Sequence, residues 1–233
     1  MIIDNLRRIQ AEMEAACLRS NRLPSDVLLI AVSKTQPEEA IREAYEAGQR
    51  LFGENKAQEL IKKKQNLPED ICWHFIGNLQ RNKVKYLVGE VALIHSVNSP
   101  ALALEIEKVA ARRGLVQDIL IEVNIAEEES KHGSALPQAE EILRMMPELT
   151  HVKARGLMAV APFSDNAETV RPYFIKMREL LDIWKPLLPD PEAFCQLSMG
   201  MSGDFEVAIE EGASYIRVGT ALFGARHYAS NER

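Results

Sequence analysis

The spacing of apolar residues changes repeatedly along this chain, from helical periodicity to short continuous runs and back. The first segment, residues 1–20, carries charged residues between apolar residues that recur every three or four positions: Ile2, Leu6, Ile9, Met13 and Ala16. Apolar residues at this spacing form one face of an amphipathic helix. We therefore expect a leading helix that packs with this face against the rest of the protein.

Beyond this helix, short apolar runs alternate with longer segments of helical spacing. The runs predict strands because they are short and rich in Val, Ile, Leu and Phe; they cover residues 27–34, 51–54, 72–76, 91–97, 118–124, 152–160, 194–198 and 215–219. The segments that follow them predict helices over residues 38–47, 57–64, 80–87, 100–113, 136–146, 167–184, 204–211 and 220–225.

Strands separated by helices indicate parallel pairing, since each helix carries the chain back to the same end of the sheet. Eight such units within 233 residues favour an α/β fold, a single (β/α)8 TIM barrel with an extra N-terminal helix. A doubly wound open sheet is the alternative, but no G-x-G-x-x-G motif follows the first strand. No linker or repeat divides the chain, so we expect one barrel domain over residues 1–233.

Composition narrows the class of protein. The net charge of −6 and the pI of about 5.5 argue against nucleic acid as a partner, because nucleic-acid binding needs a basic face. The cysteines Cys17, Cys72 and Cys195 form no C-x-x-C pair, so we expect neither a metal site nor a disulfide framework. The charged N-terminus does not resemble a signal peptide, and no apolar run reaches the roughly 20 residues of a membrane span. We expect a cytoplasmic protein that does not act on membranes.

Polar residues follow the predicted strands at their carboxyl ends, where active sites of barrels lie. The first strand ends in Ser33 and Lys34. A lysine is rarely buried without a partner, so the simplest interpretation of Lys34 is a solvated strand end. The alternative is an amine held in a pocket for chemistry.

Two later loops predict a phosphate site. Ser198 and Gly200 follow the seventh strand, and Gly219 and Thr220 follow the eighth at the start of a short helix. In this fold, these loops recurrently bind phosphate, because exposed backbone N–H groups and hydroxyls attract an anion and glycine permits close approach. Two ordinary tight turns are the alternative interpretation.

In a closed barrel, Lys34 on the first strand lies beside the last strand and its phosphate loop. A partly desolvated lysine amine forms a Schiff base with an aldehyde, and pyridoxal 5′-phosphate (PLP) carries both an aldehyde and a phosphate. Arg217 on the eighth strand would point into the same site and face the pyridine nitrogen, which a donor-only guanidinium keeps unprotonated. A salt bridge to strand-end carboxylates is the alternative role for Arg217.

Several stretches resemble, in order, those of the YggS/PROSC family of pyridoxal phosphate homeostasis proteins: "AVSKT", "FGENKAQE", "WHFIGNLQRNK", "GLMAV", "LSMGMSGDFEVAIEEGA" and "RVGTALFGAR". The resemblance covers nearly the whole chain. It implies a barrel similar to the N-terminal domain of alanine racemase, with Lys34 as the PLP lysine and Arg217 as the partner of the pyridine nitrogen. It further implies that Asn55 and His74 line the cofactor and that Met158 lies near its ring.

The resemblance also implies a cytoplasmic, monomeric protein that supplies PLP, with PLP-requiring apoenzymes as partners and without an established activity. A PLP-dependent racemase or decarboxylase, a Schiff-base aldolase without PLP, and a regulatory protein with structural PLP are the alternatives. A racemase needs a second acid–base group opposite the lysine. None of the five tyrosines ends a predicted strand: Tyr45, Tyr86, Tyr173, Tyr215 and Tyr228. We therefore expect PLP binding without substantial catalysis.

Overall fold

A computed structural model describes residues 1–126 and 133–224 and has a closed parallel barrel at its centre. Eight strands pair in chain order, and the eighth pairs with the first. The (β/α)8 prediction is confirmed, and the open-sheet alternative is wrong, because an open sheet leaves its edge strands unpaired. The strands are β1 Leu28–Val32, β2 Leu51–Glu54, β3 Cys72–Phe75, β4 Leu93–Val97, β5 Gln117–Glu122, β6 Val152–Met158, β7 Gln196–Ser198 and β8 Tyr215–Val218.

The α-helices of the described residues surround the barrel. They are α1 Ile2–Arg19, α2 Glu38–Glu46, α3 Ala57–Asn66, α4 Val84–Leu87, α5 Pro100–Arg113, α6 Leu136–Met145, α7 Arg171–Trp184, α8 Phe205–Glu210 and α9 Thr220–Phe223. Helix α5 shows how local sequence sets such bounds. The Ser99 side chain accepts a hydrogen bond from the Leu102 N–H at its start, and Gly114 ends it at φ +66°.

The strands are apolar because both of their faces are buried. In β1, Ile30 belongs to the inner cluster of the barrel, whereas Leu29 and Ala31 pack in the larger core between strands and helices. The period of two therefore sends residues 30 and 32 toward the barrel axis. Lys34 follows two residues after the end of β1, at the mouth of the barrel.

The leading helix, α1, packs against other helices on the outside of the barrel. Leu6 and Ile9 of α1 are buried, and the helix packs against α2, α8 and α9. The Asn5 side chain donates a hydrogen bond of 2.9 Å to the Leu222 carbonyl, and Arg22 donates to the Ile209 and Ala213 carbonyls. These bonds fasten the first helix to the last two strand–helix units.

The predicted element bounds differ from the observed ones mainly at the ends. The first strand ends at Val32, so Lys34 lies in the turn that follows it. The predicted helices over 80–87 and 167–184 begin as 3-10 turns, at Arg81–Lys83 and Ala167–Val170. The last predicted helix ends at Phe223, and its predicted end at residue 225 lies outside the described residues.

Gly156 gives a direct test of the β6–β7 contact. A Cβ at this position would lie 1.8 Å from the Gln196 carbonyl oxygen, at a point where the pairing of β6 is also irregular. We expect Gly156→Ala to lower the free energy of unfolding by about 3 kcal/mol or more, because backbone must move.

The matched control for this substitution is Gly114→Ala. Gly114 also has a positive φ, but no atom lies within 4 Å of its added Cβ. Gly114→Ala should lower the free energy of unfolding only by the cost of a left-handed backbone at alanine, about 1 kcal/mol. Denaturant unfolding of the two variants measures the difference, and equal costs would contradict a steric contact at Gly156.

Candidate functional site

A cavity of about 540 Å³ opens at the carboxyl ends of the strands. Its wall comes from the ends of β1, β6 and β8 and from the loops after β3, β6 and β7. It includes Lys34, Arg217, Gly219 and Thr220, together with Val32, Gln36, Ile76, Val160, Pro162, Phe163, Ser164, Met201, Ser202, Gly203, Asp204 and Gly224. The cavity therefore combines an amine, a guanidinium and a glycine-containing loop.

Lys34 is half-buried in a tight turn directly after β1. The Gln36 N–H donates to the Ser33 carbonyl at 3.0 Å, which closes the turn. Thr35, the third residue of the turn, has φ +64° and donates its N–H to Glu59 Oε1 at 2.8 Å. A carboxylate of helix α3 therefore holds the backbone of the turn that carries Lys34.

Beneath this turn lies a buried ion pair. Lys63 of α3 donates to Glu54 Oε1 at 2.8 Å, to Glu59 Oε1 at 2.7 Å and to the Ser33 carbonyl at 2.8 Å. The Ser33 hydroxyl donates to Glu54 at 2.7 Å. Burial raises the pKa of Glu54, and Lys63 opposes that shift. This network ties β1, β2 and α3 together at the carboxyl end of the barrel.

Arg217 crosses the barrel mouth. Its guanidinium donates to the Ser198 hydroxyl at 2.5 Å and to the Ala159 carbonyl at 2.8 Å. Burial lowers the pKa of Arg217 to about 10, while the carboxylates of Asp204 and Glu122 oppose that shift. The pKa still lies far above neutrality, so Arg217 remains a cation that can only donate hydrogen bonds.

A chain of hydrogen bonds runs from Arg217 into the barrel. Ser198 Oγ lies 2.9 Å from His95 Nδ1, and His95 Nε2 lies 2.8 Å from His74 Nδ1. Burial lowers the pKa of His74 to about 4 and that of His95 well below its ordinary value, so both rings are neutral at pH 7. Arg217 donates a hydrogen bond to Ser198 Oγ, so the Ser198 hydroxyl in turn donates its own proton to His95 Nδ1. We therefore assign the ring proton of each histidine to Nε2.

Of the predicted site residues, the structure brings Lys34, Arg217, Gly219 and Thr220 to the cavity wall. The side chains of His74 and Ser198 are buried and hydrogen-bonded within the barrel, and their contact with a ligand stays a prediction.

The remaining predicted residues lie near the cavity without lining it. Met158 is buried in the inner apolar cluster of the barrel. Gly200 occupies a turn with φ +91°, a conformation that glycine adopts without strain. Asn55 follows β2, and its Oδ1 atom is buried without a hydrogen-bond partner. Such an unsatisfied acceptor is costly unless a ligand or water satisfies it.

The wall of the cavity suits a phosphorylated aldehyde. The backbone at position 219 does not require glycine, since its φ is −114°. A Cβ added there would make an ordinary contact with Val32 at 3.4 Å. Glycine here leaves the wall open beside the Thr220 hydroxyl. Lys34 can supply an amine to an aldehyde, and Arg217 a donor to a ring nitrogen. The residues present therefore fit PLP.

Sequence reasoning missed Glu122, His95 and the Glu59–Lys63 pair. Glu59 and Lys63 stand four residues apart on one helix, a spacing that signals an ion pair. Glu122 ends β5 as a carboxylate in an apolar run, and its Oε2 atom is buried without a partner. Glu122 could have been identified from the sequence, because a charged residue within an apolar strand is exceptional.

Known proteins are similar to this chain over nearly its whole length. The family model of the alanine racemase N-terminal domain matches residues 5–227. A protein of Aquifex aeolicus named pyridoxal phosphate homeostasis protein is 48% identical over 230 residues, covering 97% of this chain and 98% of that one. A protein of the same name from Escherichia coli K12 is 36% identical, covering 98% of each chain.

Solved structures are similar over the same length. PipY of Synechococcus elongatus with PLP bound is 39% identical, with a TM-score of 0.81, and the match covers 96% of this chain and all of PipY. An alanine racemase of Clostridium difficile shares the fold, with a TM-score of 0.71 at 15% identity. The match covers 98% of this chain and 58% of the racemase.

Glu122 makes stability depend on pH in a defined direction. Burial raises the pKa of Glu122 from 4.5 to about 7, a shift that Arg217 partly offsets. The folded protein therefore retains a proton that the unfolded chain has released, and the stabilisation present below pH 4.5 is lost as the pH rises through 7. At pH 8 the ionised carboxylate costs about 3 kcal/mol.

Glu122→Gln replaces the protonated acid with a neutral side chain of similar shape. We expect the variant to match the wild type near pH 4.5 and to be more stable by about 3 kcal/mol at pH 8. Denaturant unfolding at both pH values measures this, with the half-exposed Glu140→Gln as control. A difference that does not grow with pH would contradict the assignment.

Proposed function

Because this chain belongs to the alanine racemase N-terminal domain family, among relatives named pyridoxal phosphate homeostasis proteins, we propose that it binds PLP as a Schiff base on Lys34 in intracellular PLP homeostasis. The observation that carries the proposal is the meeting of Lys34, Arg217, Gly219 and Thr220 in one cavity. When bound, PLP supplies the aldehyde. The Lys34 amine would hold PLP through this aldehyde by a condensation that releases only water.

Each wall residue has a defined task in holding the cofactor. The Thr220 hydroxyl and the backbone beside Gly219 would bind the phosphate, with the Ser198–Gly200 turn behind them as a weaker candidate. Arg217 would donate to the pyridine nitrogen, while its bonds to Ser198 and the Ala159 carbonyl fix its direction. The unsatisfied oxygen of Asn55 is the remaining candidate contact. His74 and Met158 support this wall from within the barrel.

The site favours binding over turnover. A donor-only Arg217 leaves the pyridine nitrogen unprotonated, which weakens the cofactor as an electron sink. Tyr45, Tyr86, Tyr173 and Tyr215 do not line the cavity, and Tyr228 lies outside the described residues. Within the described part of the chain, the cavity wall thus offers no tyrosine as a second acid–base group. This distinguishes our proposal from a racemase or decarboxylase.

The other two alternatives have less support. An aldolase without PLP would need an acid–base partner within reach of the lysine, and relatives named for pyridoxal phosphate favour a cofactor instead. A regulatory protein with structural PLP would use the same lysine, and the word homeostasis in the name of these relatives favours a role in PLP supply. The supply of PLP to apoenzymes, a monomeric state and a cytoplasmic location stay predictions. No helix in the described ranges is long and apolar enough to cross a membrane.

Borohydride reduction of the PLP-loaded protein tests the attachment. We expect peptide mass mapping to find one pyridoxyl group on Lys34, because among the described residues that line the cavity only Lys34 carries an amine that can react with an aldehyde. Lys34→Ala should abolish the label, whereas Lys62→Ala, an exposed lysine on α3, should keep it. A label on another lysine of the wild type would overturn the assignment.

Exchange of the α-proton of L- and D-amino acids in deuterated water tests the absence of catalysis. We expect the PLP-loaded protein to exchange no faster than free PLP, since no tyrosine of the described residues lines the wall as an opposing acid–base group and the electron sink would be weak. An exchange rate on the order of 1 per second, lost in Lys34→Ala, would instead support a racemase.

A further inference from the structure

The turn that carries Lys34 has an unfavourable backbone. Its third residue, Thr35, has φ +64°, a conformation that turns of this kind normally give to glycine or asparagine. For a β-branched residue a positive φ is a true outlier. Such a conformation persists only when surrounding contacts hold it. The question is therefore what holds Thr35.

The two peptide groups that flank Lys34 are both held by one ion pair on α3. On the C-terminal side, the Thr35 N–H donates to Glu59 Oε1 at 2.8 Å. On the N-terminal side, the Ser33 carbonyl accepts from Lys63 Nζ at 2.8 Å. Glu59 and Lys63 are themselves joined at 2.7 Å, so the backbone before and after the lysine is fixed to a single helix.

The remaining partner of this pair anchors it in the barrel. Lys63 is 5% exposed and also contacts Glu54, which is fully buried at the end of β2. An ordinary surface pair four residues apart on a helix would touch only its own helix. Here the Glu59 carboxylate serves two donors, one on its helix and one in the turn of Lys34.

We propose that Glu59, fixed by Lys63, is a positioning residue that holds Thr35 at positive φ and thereby aims Lys34 into the cavity. The inference rests on the proposed function for its ligand, PLP. Glu59 is the last residue of "FGENKAQE" and does not line the cavity, so the cavity wall alone gives it no role. The proposal assigns it one. A side chain that begins in a loose turn would spend less time where the aldehyde can be reached.

The direct test is PLP titration of Glu59→Ala and Glu59→Gln, followed by visible absorbance. Alanine removes the acceptor for the Thr35 N–H, so we expect affinity to fall on the order of tenfold, the scale of one hydrogen bond to a charged group. Glutamine keeps an oxygen acceptor, so its loss should be clearly smaller. An affinity of Glu59→Ala equal to that of the wild type would overturn the proposal.

A second measurement does not depend on PLP. In the apo protein the amide hydrogen of Thr35 should exchange slowly in the wild type and much faster in Glu59→Ala, because its acceptor is gone. Unchanged exchange would overturn the proposed hold on the turn. If the wild type itself failed to bind PLP, the proposed function would fail, while the exchange result would still report on the contact between Glu59 and Thr35.

The control is Glu140→Ala, which removes a half-exposed carboxylate that pairs with Arg144 four residues later, at 3.0 Å. This pair lies on α6 and does not line the cavity. We expect its PLP affinity and Thr35 exchange to equal those of the wild type. An equal loss in Glu140→Ala would mean that any helix pair matters, and would overturn a specific role for Glu59.

A double-mutant cycle with Thr35→Gly separates positioning from general stability. Glycine adopts a positive φ without support, so it should make the hold by Glu59 largely dispensable. We expect Glu59→Ala to cost on the order of tenfold in affinity with threonine at position 35, and less than about threefold with glycine. Equal factors in the two backgrounds would show that Glu59 acts through something other than the conformation of Thr35.

Discussion

The pairing of β8 with β1 is the contact on which the site depends. Ile30 pairs with Arg217 and Ala31 with Val218. This register brings the segments that follow the two strands, which carry Lys34 and Thr220, side by side. These groups are almost two hundred positions apart in the chain. Without closure, the amine of Lys34 and the loop after β8 would lie at opposite edges of an open sheet. The cavity is thus a consequence of topology before it is one of side-chain chemistry.

Closure also creates an electrostatic problem inside the barrel, because charged and polar groups from several strands are enclosed together. The structure meets it in two ways. Arg217 keeps its charge and is bound by a hydroxyl and a carbonyl, whereas the two histidines are neutral because burial lowers their pKa values. The Arg217 cation at the mouth is therefore compatible with neutral histidine rings beneath it.

Much of the fold could be predicted from the sequence, because helical and strand periodicity are local. The helix Pro100–Arg113 has its predicted bounds, fixed by Ser99 and Gly114. The placement of Lys34 and Arg217 at one mouth followed from the closed barrel, in which the first strand lies beside the eighth. The contacts of Ser198 and His74 could not be predicted, because their partners stand on other strands. Likewise, the conformation of Thr35 depends on a carboxylate 24 positions away.

The hydrogen bond from Asn5 to the Leu222 carbonyl spans 217 positions, and its consequence concerns the order of synthesis. Helix α1 is synthesised long before α9, so the face of α1 that α9 covers stays uncovered until α9 has been made. Domains generally fold as units, and distant contacts slow folding. Lys34 is therefore made early, whereas the cavity that it lines is complete only once Gly219 and Thr220 have been added. Under the proposed function, a partly synthesised chain would offer PLP a lysine without the residues proposed to bind its phosphate.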